Sequence, residues 1–288
     1  MFIFSIIIPT HNRFDKLIKV LNSLNSQKFP KSQFEVVIID DGSTDKNYEN
    51  LDKLQKKYDF IILTIRQVKK GAAAARNAGI KVAQGKYVLF LGDDTVSDSN
   101  LLYQHTNTHE KCPNDCVLGF IDWDKNLTLN ELMKFIAPYG PQFNFRITNP
   151  KDCGFKRFYT SNISVPKTIL DHYRFNEDFP SCNFEDVELG YRLYIAGVKI
   201  IYNKHAVVYH NHYYNLDSFL ERQRKVGKNK RVLLKIHPEL NNLWSNLFFL
   251  KLILIKDNVS LFLAKCLRFK KLYFKSICEK TWIEEFLK

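Results

Sequence analysis

The stretch Phe2-Ile3-Phe4-Ser5-Ile6-Ile7-Ile8-Pro9-Thr10-His11-Asn12-Arg13 runs apolar and largely β-branched, then breaks at a proline into polar side chains. A strand buried on both faces of a parallel sheet reads this way, because neither face alternates toward water. Working outward, residues 13–26 place Leu17, Val20, Leu21 and Leu24 at helical spacing. The alternation continues, with strands expected at 34–39, 60–65 and 87–91 and helices at 45–58 and 72–83. Strands joined by crossover helices make an α/β fold: a mostly parallel, doubly wound sheet of Rossmann type, flanked by helices. Ligands bind such sheets at the carboxyl ends of the strands.

Three loops occupy those ends: Pro9-Thr10-His11-Asn12-Arg13, Asp40-Asp41-Gly42-Ser43-Thr44-Asp45 and Gly92-Asp93-Asp94-Thr95. A capping role for Ser43 or Asp45 accounts for one polar residue of the second loop, not for two adjacent carboxylates. A carboxylate there can accept from a nucleobase N–H or a ribose hydroxyl. The third loop adds more negative charge, which costs free energy unless a cation compensates it. Magnesium and manganese take one or two carboxylates together with substrate phosphates, so this rim reads as a metal–diphosphate site. Farther on, Glu185-Asp186 opens a helix expected at 184–196. Acids at a helix start can merely stabilise its dipole, or one of them can serve as a general base. His210 and His212, at strand spacing, face one side of a late strand, and which of them reaches a metal stays open.

Other motifs fall away on inspection. Gly79 to Tyr87 has one residue too many for a phosphate loop, lacks its Ser/Thr and ends a helix, where Gly85 reads as the cap. No glycine-rich dinucleotide fingerprint follows the first strand. His105, His109, Cys112 and Cys116 have zinc-like spacing, but the turn Pro113-Asn114-Asp115 carries Cys116 into a strand starting there. A helix is expected at 100–111, that strand at 116–120, a Pro/Gly/Phe-rich stretch around 140–143, and strands at 198–202 and 206–209.

The 288 residues carry a formal charge of +13, and ten of those excess charges lie in 218–288, where sixteen Lys/Arg face six Asp/Glu. This basic, aromatic tail reads as mostly helical, broken at Pro238 and Asn241-Asn242; it suits nucleic acid or an anionic membrane surface, and it reads equally as a helical subdomain with solvated lysines. It resembles no standard nucleic-acid module. Residues 247–255 fall short of a span, Lys251 interrupts them, and the apolar start lacks the basic flank of a secretory signal. Cys112, Cys116, Cys153, Cys182, Cys266 and Cys278 are sparse and irregular, as in a reduced, cytoplasmic protein. The expectation is a cytoplasmic protein, peripheral at the inner face of a membrane.

Taken together, five pieces in order resemble the family-two inverting glycosyltransferases of the GT-A fold: Ser5 to Arg13, Val37 to Asp45, Gly71 to Gly79, Phe90 to Asp94 and Phe184 to Leu193. The resemblance covers about residues 5–227. It implies a nucleotide-sugar donor, UDP-linked, a Mn²⁺ or Mg²⁺ cofactor, and a glycan or lipid-linked acceptor. It places Pro9, Thr10, Arg13, Asp41, Gly42 and Ser43 at the nucleotide, Arg76 and Asn77 near the ribose and diphosphate, and Asp93 among the cofactor-binding residues, leaving open whether it shares the metal with Asp94. It implies metal binding by Asp94 with His210 close by, and Asp186 as base with Glu185 beside it. Gly92 stands where the motif's first aspartate often occurs, so the metal leans on Asp94. Trp123, Phe143 and Asn162 are acceptor candidates, since aromatics pack on sugar faces and amides bond hydroxyls. The processive members' Gln-x-x-Arg-Trp is incomplete at Gln223-Arg224-Lys225-Val226-Gly227, which points to transfer of a single sugar. The expected organisation is a catalytic domain over 1–217, with a nucleotide half at 1–97 and an acceptor half at 98–217. A C-terminal helical appendage over 218–288 follows it. The alternatives are a nucleotidyltransferase, or a membrane- or nucleic-acid-binding protein with a degenerate site.

Overall fold

The computed structural model describes residues 1–180, 183–241, 247–266 and 269–288, without the side chains of 46–50, 52, 247–249 and 266. The opening apolar run becomes β1 (Phe4–Thr10), and the next two buried runs become β2 (Phe34–Asp41) and β4 (Tyr87–Leu91), with β3 (Ile61–Gln67) between them in sequence. Helices α1 (Phe14–Asn25) and α2 (Ala72–Val82) return the chain across the sheet. β1 pairs parallel with both β2 and β4, and β2 pairs parallel with β3. Ile6, Ile7 and Ile8 are fully buried, as are Val36 through Ile39 and Val88 through Phe90. That burial on both faces removes the alternation a half-exposed strand would show.

Beyond Leu91 the sheet turns mixed. β5 (Thr95–Ser97), β6 (Cys116–Trp123), β7 (Asn162–Pro166) and β8 (Ile200–His210) complete the order β3-β2-β1-β4-β7-β6-β8-β5. β7 is antiparallel to β4 and β6, and β5 is antiparallel to β8, while β6 and β8 run parallel. Connecting helices are α3 (Leu101–His109), α4 (Glu131–Ile136), α5 (Lys167–His172) and α6 (Glu185–Ile195). Three more follow: α7 (Leu216–Ile236), α8 (Leu247–Cys266) and α9 (Lys270–Leu287). Phe219 of α7 and Cys278 of α9 belong to the main apolar core.

Four expectations need correction. Residues 46–57 wind as a 3-10 helix, with Leu51 and buried Leu54 three residues apart on its inner side. The strands expected at 198–202 and 206–209 are one, because β8 only steps out of register where Gly119 and Phe120 face Asn203 and Val207. Gly85 caps nothing: α2 ends with Ala83 as its cap. The Gly85 N–H donates to Ser5 Oγ at 2.7 Å, and a Cβ there would lie 2.4 Å from the Ser5 nitrogen. β5, β7, α4 and α5 have no counterpart in the sequence reading. The break at Asn242 and the thiol of Cys182 lie outside the described residues, and Cys112, Cys116, Cys153 and Cys278 are free. No helix among the described residues is long and apolar enough to cross a membrane.

Candidate active site

Gly92-Asp93-Asp94 is the short step between β4 and β5. Because β1 lies beside β4, residues just past β1 come up against these acids. Thr10 Oγ1 donates to Asp93 Oδ2 at 2.9 Å, and Arg13 Nη1 reaches Asp93 Oδ1 at 3.1 Å and Asp94 Oδ2 at 3.2 Å. The antiparallel pairing of β5 with β8 sets Thr95 opposite His210 and so delivers the histidines to the same point. His210 Nε2 lies 3.4 Å from Asp94 Oδ1, His212 Nδ1 lies 3.2 Å from Oδ2, and the Asn211 N–H donates to the Asp94 carbonyl at 2.7 Å. The two rings stack with centroids 5.6 Å apart. Burial pushes the Asp93 carboxyl up to about 6, the Asp94 charge adding to it and Arg13 opposing. Burial acts on Asp94 in the same sense, but His210, His212 and Arg13 hold it well below the usual carboxylate range. Burial lowers His212 too, leaving a neutral ring with a lone pair to offer.

Asp94, His210 and His212 each present one ligand atom, all within 4.8 Å of one another, and His210 Nδ1 is buried without a partner. A carboxylate with two imidazoles is a donor set that divalent transition ions accept, so the residues present fit a cation. Both histidines reach the Asp94 carboxylate.

The second acidic loop is built differently. Asp41 accepts from Gln67 Nε2 at 2.8 Å, from the Lys70 N–H at 2.8 Å and from the Gly71 N–H at 2.9 Å. Asp40 accepts from the Ser43 N–H at 3.0 Å and pairs with Arg66 at 3.4 Å. Gly42 stands at φ +72, and a Cβ there would meet the Lys69 nitrogen at 2.8 Å, so only glycine lets the two loops close up. Ser43 Oγ accepts from the Asn12 N–H at 2.9 Å, tying this loop to the Pro9–Arg13 loop. An open cleft of about 750 Å³ over these loops is lined by His11, Gly42, Thr44, Gln67 and Lys69.

α6 begins at a turn in which Asn183 (φ 111) and Phe184 (φ 71) both adopt the left-handed region. Such non-glycine residues cost on the order of 1–3 kcal/mol each and persist where surrounding structure holds them. Here buried Asn229 of α7 donates to the Asn183 carbonyl at 2.7 Å, and the Asn183 N–H donates to Glu185 Oε2 at 2.6 Å. Arg76 of α2 pairs with Glu185 at 2.9 Å. The half-buried Asp186 carboxyl is pushed up to about 7, first by burial and next by the Glu185 charge, against the pull of Arg76. Asp186 and His210 line one cleft of about 340 Å³, together with Arg76, Phe143, Tyr159 and Arg222. Arg222 and Gln223 enter it from α7; the incomplete Gln-x-x-Arg-Trp element marks Gln223, and nothing in the tail's sequence marks Arg222.

Not every sequence candidate joins this cleft. Asn77 donates to the Phe175 carbonyl at 2.9 Å and to Glu177 at 2.7 Å and accepts from the Phe175 N–H, so its amide holds the 175–177 loop. Asn162 is fully buried and bridges the Phe120 and Ala206 carbonyls where β6 and β8 slip register. Trp123 is buried, its Nε1–H donating to Met133 and Ala137 carbonyls, and packs 5.5 Å from His210. Phe143 does line the cleft, 5.8 Å from His210. His105 and His109 both contact Ser164 Oγ, at 2.8 and 2.7 Å, beneath the sheet.

Residues 5–173, more than half of the chain, match the family described as glycosyl transferase family 2, and the chain belongs to that family. The fold is that of GT-A enzymes. It superposes on a mannosyltransferase of Pyrobaculum calidifontis, solved with GDP-Man and Mn²⁺, at a TM-score of 0.71 and 14% identity, covering 99% of this chain and 86% of that one. TarS 1-349 of Staphylococcus aureus with UDP matches at 0.59 and 20% identity, over 100% and 90% of the two chains. Among curated relatives, the poly(ribitol-phosphate) beta-glucosyltransferase of Bacillus spizizenii is 36% identical over 116 residues, 40% of this chain and 18% of that protein. The validoxylamine A glucosyltransferase of Streptomyces hygroscopicus subsp. jinggangensis is 29% identical over 234 residues, 70% of this chain and 54% of the relative. The match thus spans about a fifth of the first relative's length and about half of the second's.

Proposed function

We propose that the protein transfers one sugar from a UDP-linked donor to a hydroxyl of a glycan or lipid-linked acceptor, inverting the anomeric centre, with a divalent cation held by Asp94, His210 and His212. One observation carries this: Asp186, raised to about 7, shares a cleft with His210, the ring set against Asp94. A general base is most effective when its pKa lies near the working pH. Asp186 takes the proton from the acceptor hydroxyl as that oxygen attacks the anomeric carbon and the bond to the donor diphosphate breaks. Glu185, locked to Arg76, positions it. Arg13 supplies positive charge on the leaving-group side, and Thr10 orients Asp93. Asp94, His210 and His212 would hold the cation, which would supply Lewis-acid charge neutralisation for a diphosphate leaving group. Imidazole donors suit Mn²⁺ better than Mg²⁺, which prefers an all-oxygen shell. The cleft over Gly42 and Gln67 takes the nucleobase, and the UDP complex of TarS supports that base.

A thermal-shift screen of nucleoside diphosphates tests the donor: UDP with Mn²⁺ raises the midpoint, and chelation removes the gain. A protein indifferent to every nucleotide overturns the assignment. A β-linked product from an α-linked donor, read by NMR, tests inversion.

Membrane docking belongs to the same proposal. On α8, Leu252, Ile255, Val259, Phe262 and Leu263 recur at three- and four-residue steps, all more than 40% exposed, with Lys251, Lys256 and Lys265 nearby. A lysine-flanked apolar stripe suits an anionic lipid interface. Flotation with phosphatidylglycerol vesicles, but not phosphatidylcholine ones, is expected, and Phe262→Asp abolishes it.

A further inference from the structure

A second groove, about 720 Å³ and so roughly twice the cleft, opens beside it and shares Pro141, Gln223 and Val226 as a common wall. That volume lies within the range of small-molecule sites. Its far side is α9, which turns Lys271, Lys275, Glu279 and Trp282 toward it at steps of four, four and three residues, one stripe of the helix. Lys134, Arg146 and Tyr139 close it from the 131–146 segment. Glu279 is met by Lys256 at 3.6 Å and Lys134 by Glu131 at 3.0 Å, whereas Arg146, Lys271 and Lys275 form no ion pair among the described residues. Tyr139 is half exposed, and Trp282 is held by Lys230, 3.9 Å from its ring centroid. Cations and aromatic rings along a channel that ends at a sugar-transfer cleft match one kind of ligand: a saccharide chain bearing phosphate.

We propose that this groove is the acceptor subsite and that the acceptor carries a phosphate group, held by Arg146, Lys271 and Lys275 while the accepting sugar reaches Asp186. This rests on the transferase reading above, and it adds the chemical class of the acceptor.

The test uses the full chain and two phosphate-bearing probes, an oligomeric polyol phosphodiester and a short-chain lipid diphosphate sugar, each beside its phosphate-free twin. Binding is followed by calorimetry without metal, which silences donor chelation. At least one phosphate probe binds about tenfold or more tighter than its twin, and which one does identifies the phosphate source. Added salt narrows the gap, because exposed charges are screened. Lys271→Glu with Lys275→Glu, two exposed helix positions, removes the discrimination while leaving UDP binding and donor hydrolysis unchanged. Equal binding of twin and probe, no binding of either probe by a protein that still takes UDP, or discrimination that survives charge reversal overturns the proposal. Loss of UDP binding in the unsubstituted protein instead strikes the transferase reading itself.

Discussion

Asp40-Asp41 and Asp93-Asp94 look alike as text: a buried strand, two acids, a turn. In the folded chain they are opposites. Asp41 is met by the Gln67 side chain and by two backbone N–H groups, which cannot leave without breaking the loop. Asp93 and Asp94 are met by the side chains of Thr10, Arg13, His210 and His212, which can rotate away or trade a proton for a metal. The lesson is that a carboxylate satisfied by backbone holds architecture, while one satisfied by side chains is poised for exchange. Buried donors left unpaired cost about 1–3 kcal/mol each, so the first loop's acid is expected to show in stability and the second's in turnover.

The largest break in this comparison comes from Asp94→Asn, expected to lower transfer on the order of 10³-fold, several kcal/mol of lost charge stabilisation. A melting temperature that stays put, with activity gone, is the signature to look for. Close behind, Asp186→Asn should cut the rate about 10²–10⁴-fold while nucleotide still binds, as measured by calorimetry. In the unsubstituted enzyme, log kcat should climb with pH and level off above about 7, following Asp186; a flat profile from pH 5 to 8 argues for another base. His212→Ala sharpens the picture more gently: Mn²⁺ activation should weaken about 10–100-fold, with most of the rate recovered at saturating metal. The smallest effect on turnover belongs to Asp41→Asn. Its stability should fall about 1–3 kcal/mol in urea titration, with kcat at saturating donor changed less than about tenfold. If it silences turnover without touching stability, the two loops have been assigned the wrong way round.

Much of this was readable in advance, and the reason is local. β1, β2 and β4 are continuous apolar runs, and their neighbouring parallel registers, Thr10 beside Asp40, bring the loops to one rim without help from distant residues. β7 hid itself because Asn162 and Ser164 face buried histidines instead of a hydrocarbon core, so its pattern is polar where burial is complete. β8 read as two pieces because its step against Gly119 interrupts the run. The meeting of His210 with Asp94 depends on a β5–β8 pairing more than a hundred residues apart, which no local spacing records. Likewise Trp282 reaches the groove only through the packing of α9 on α7.

One short helix links the Asp41 loop to the Asp186 turn. α2 follows Gly71, whose N–H is pinned by Asp41, and carries Arg76 to Glu185 beside Asp186. Its eleven residues form a rod about 16 Å long. Arg76 stands five residues, about 7.5 Å, from Gly71 along this rod, which does not absorb displacement along its axis, so under the proposed reading a donor seated badly beside Asp41 misaims the proton acceptor.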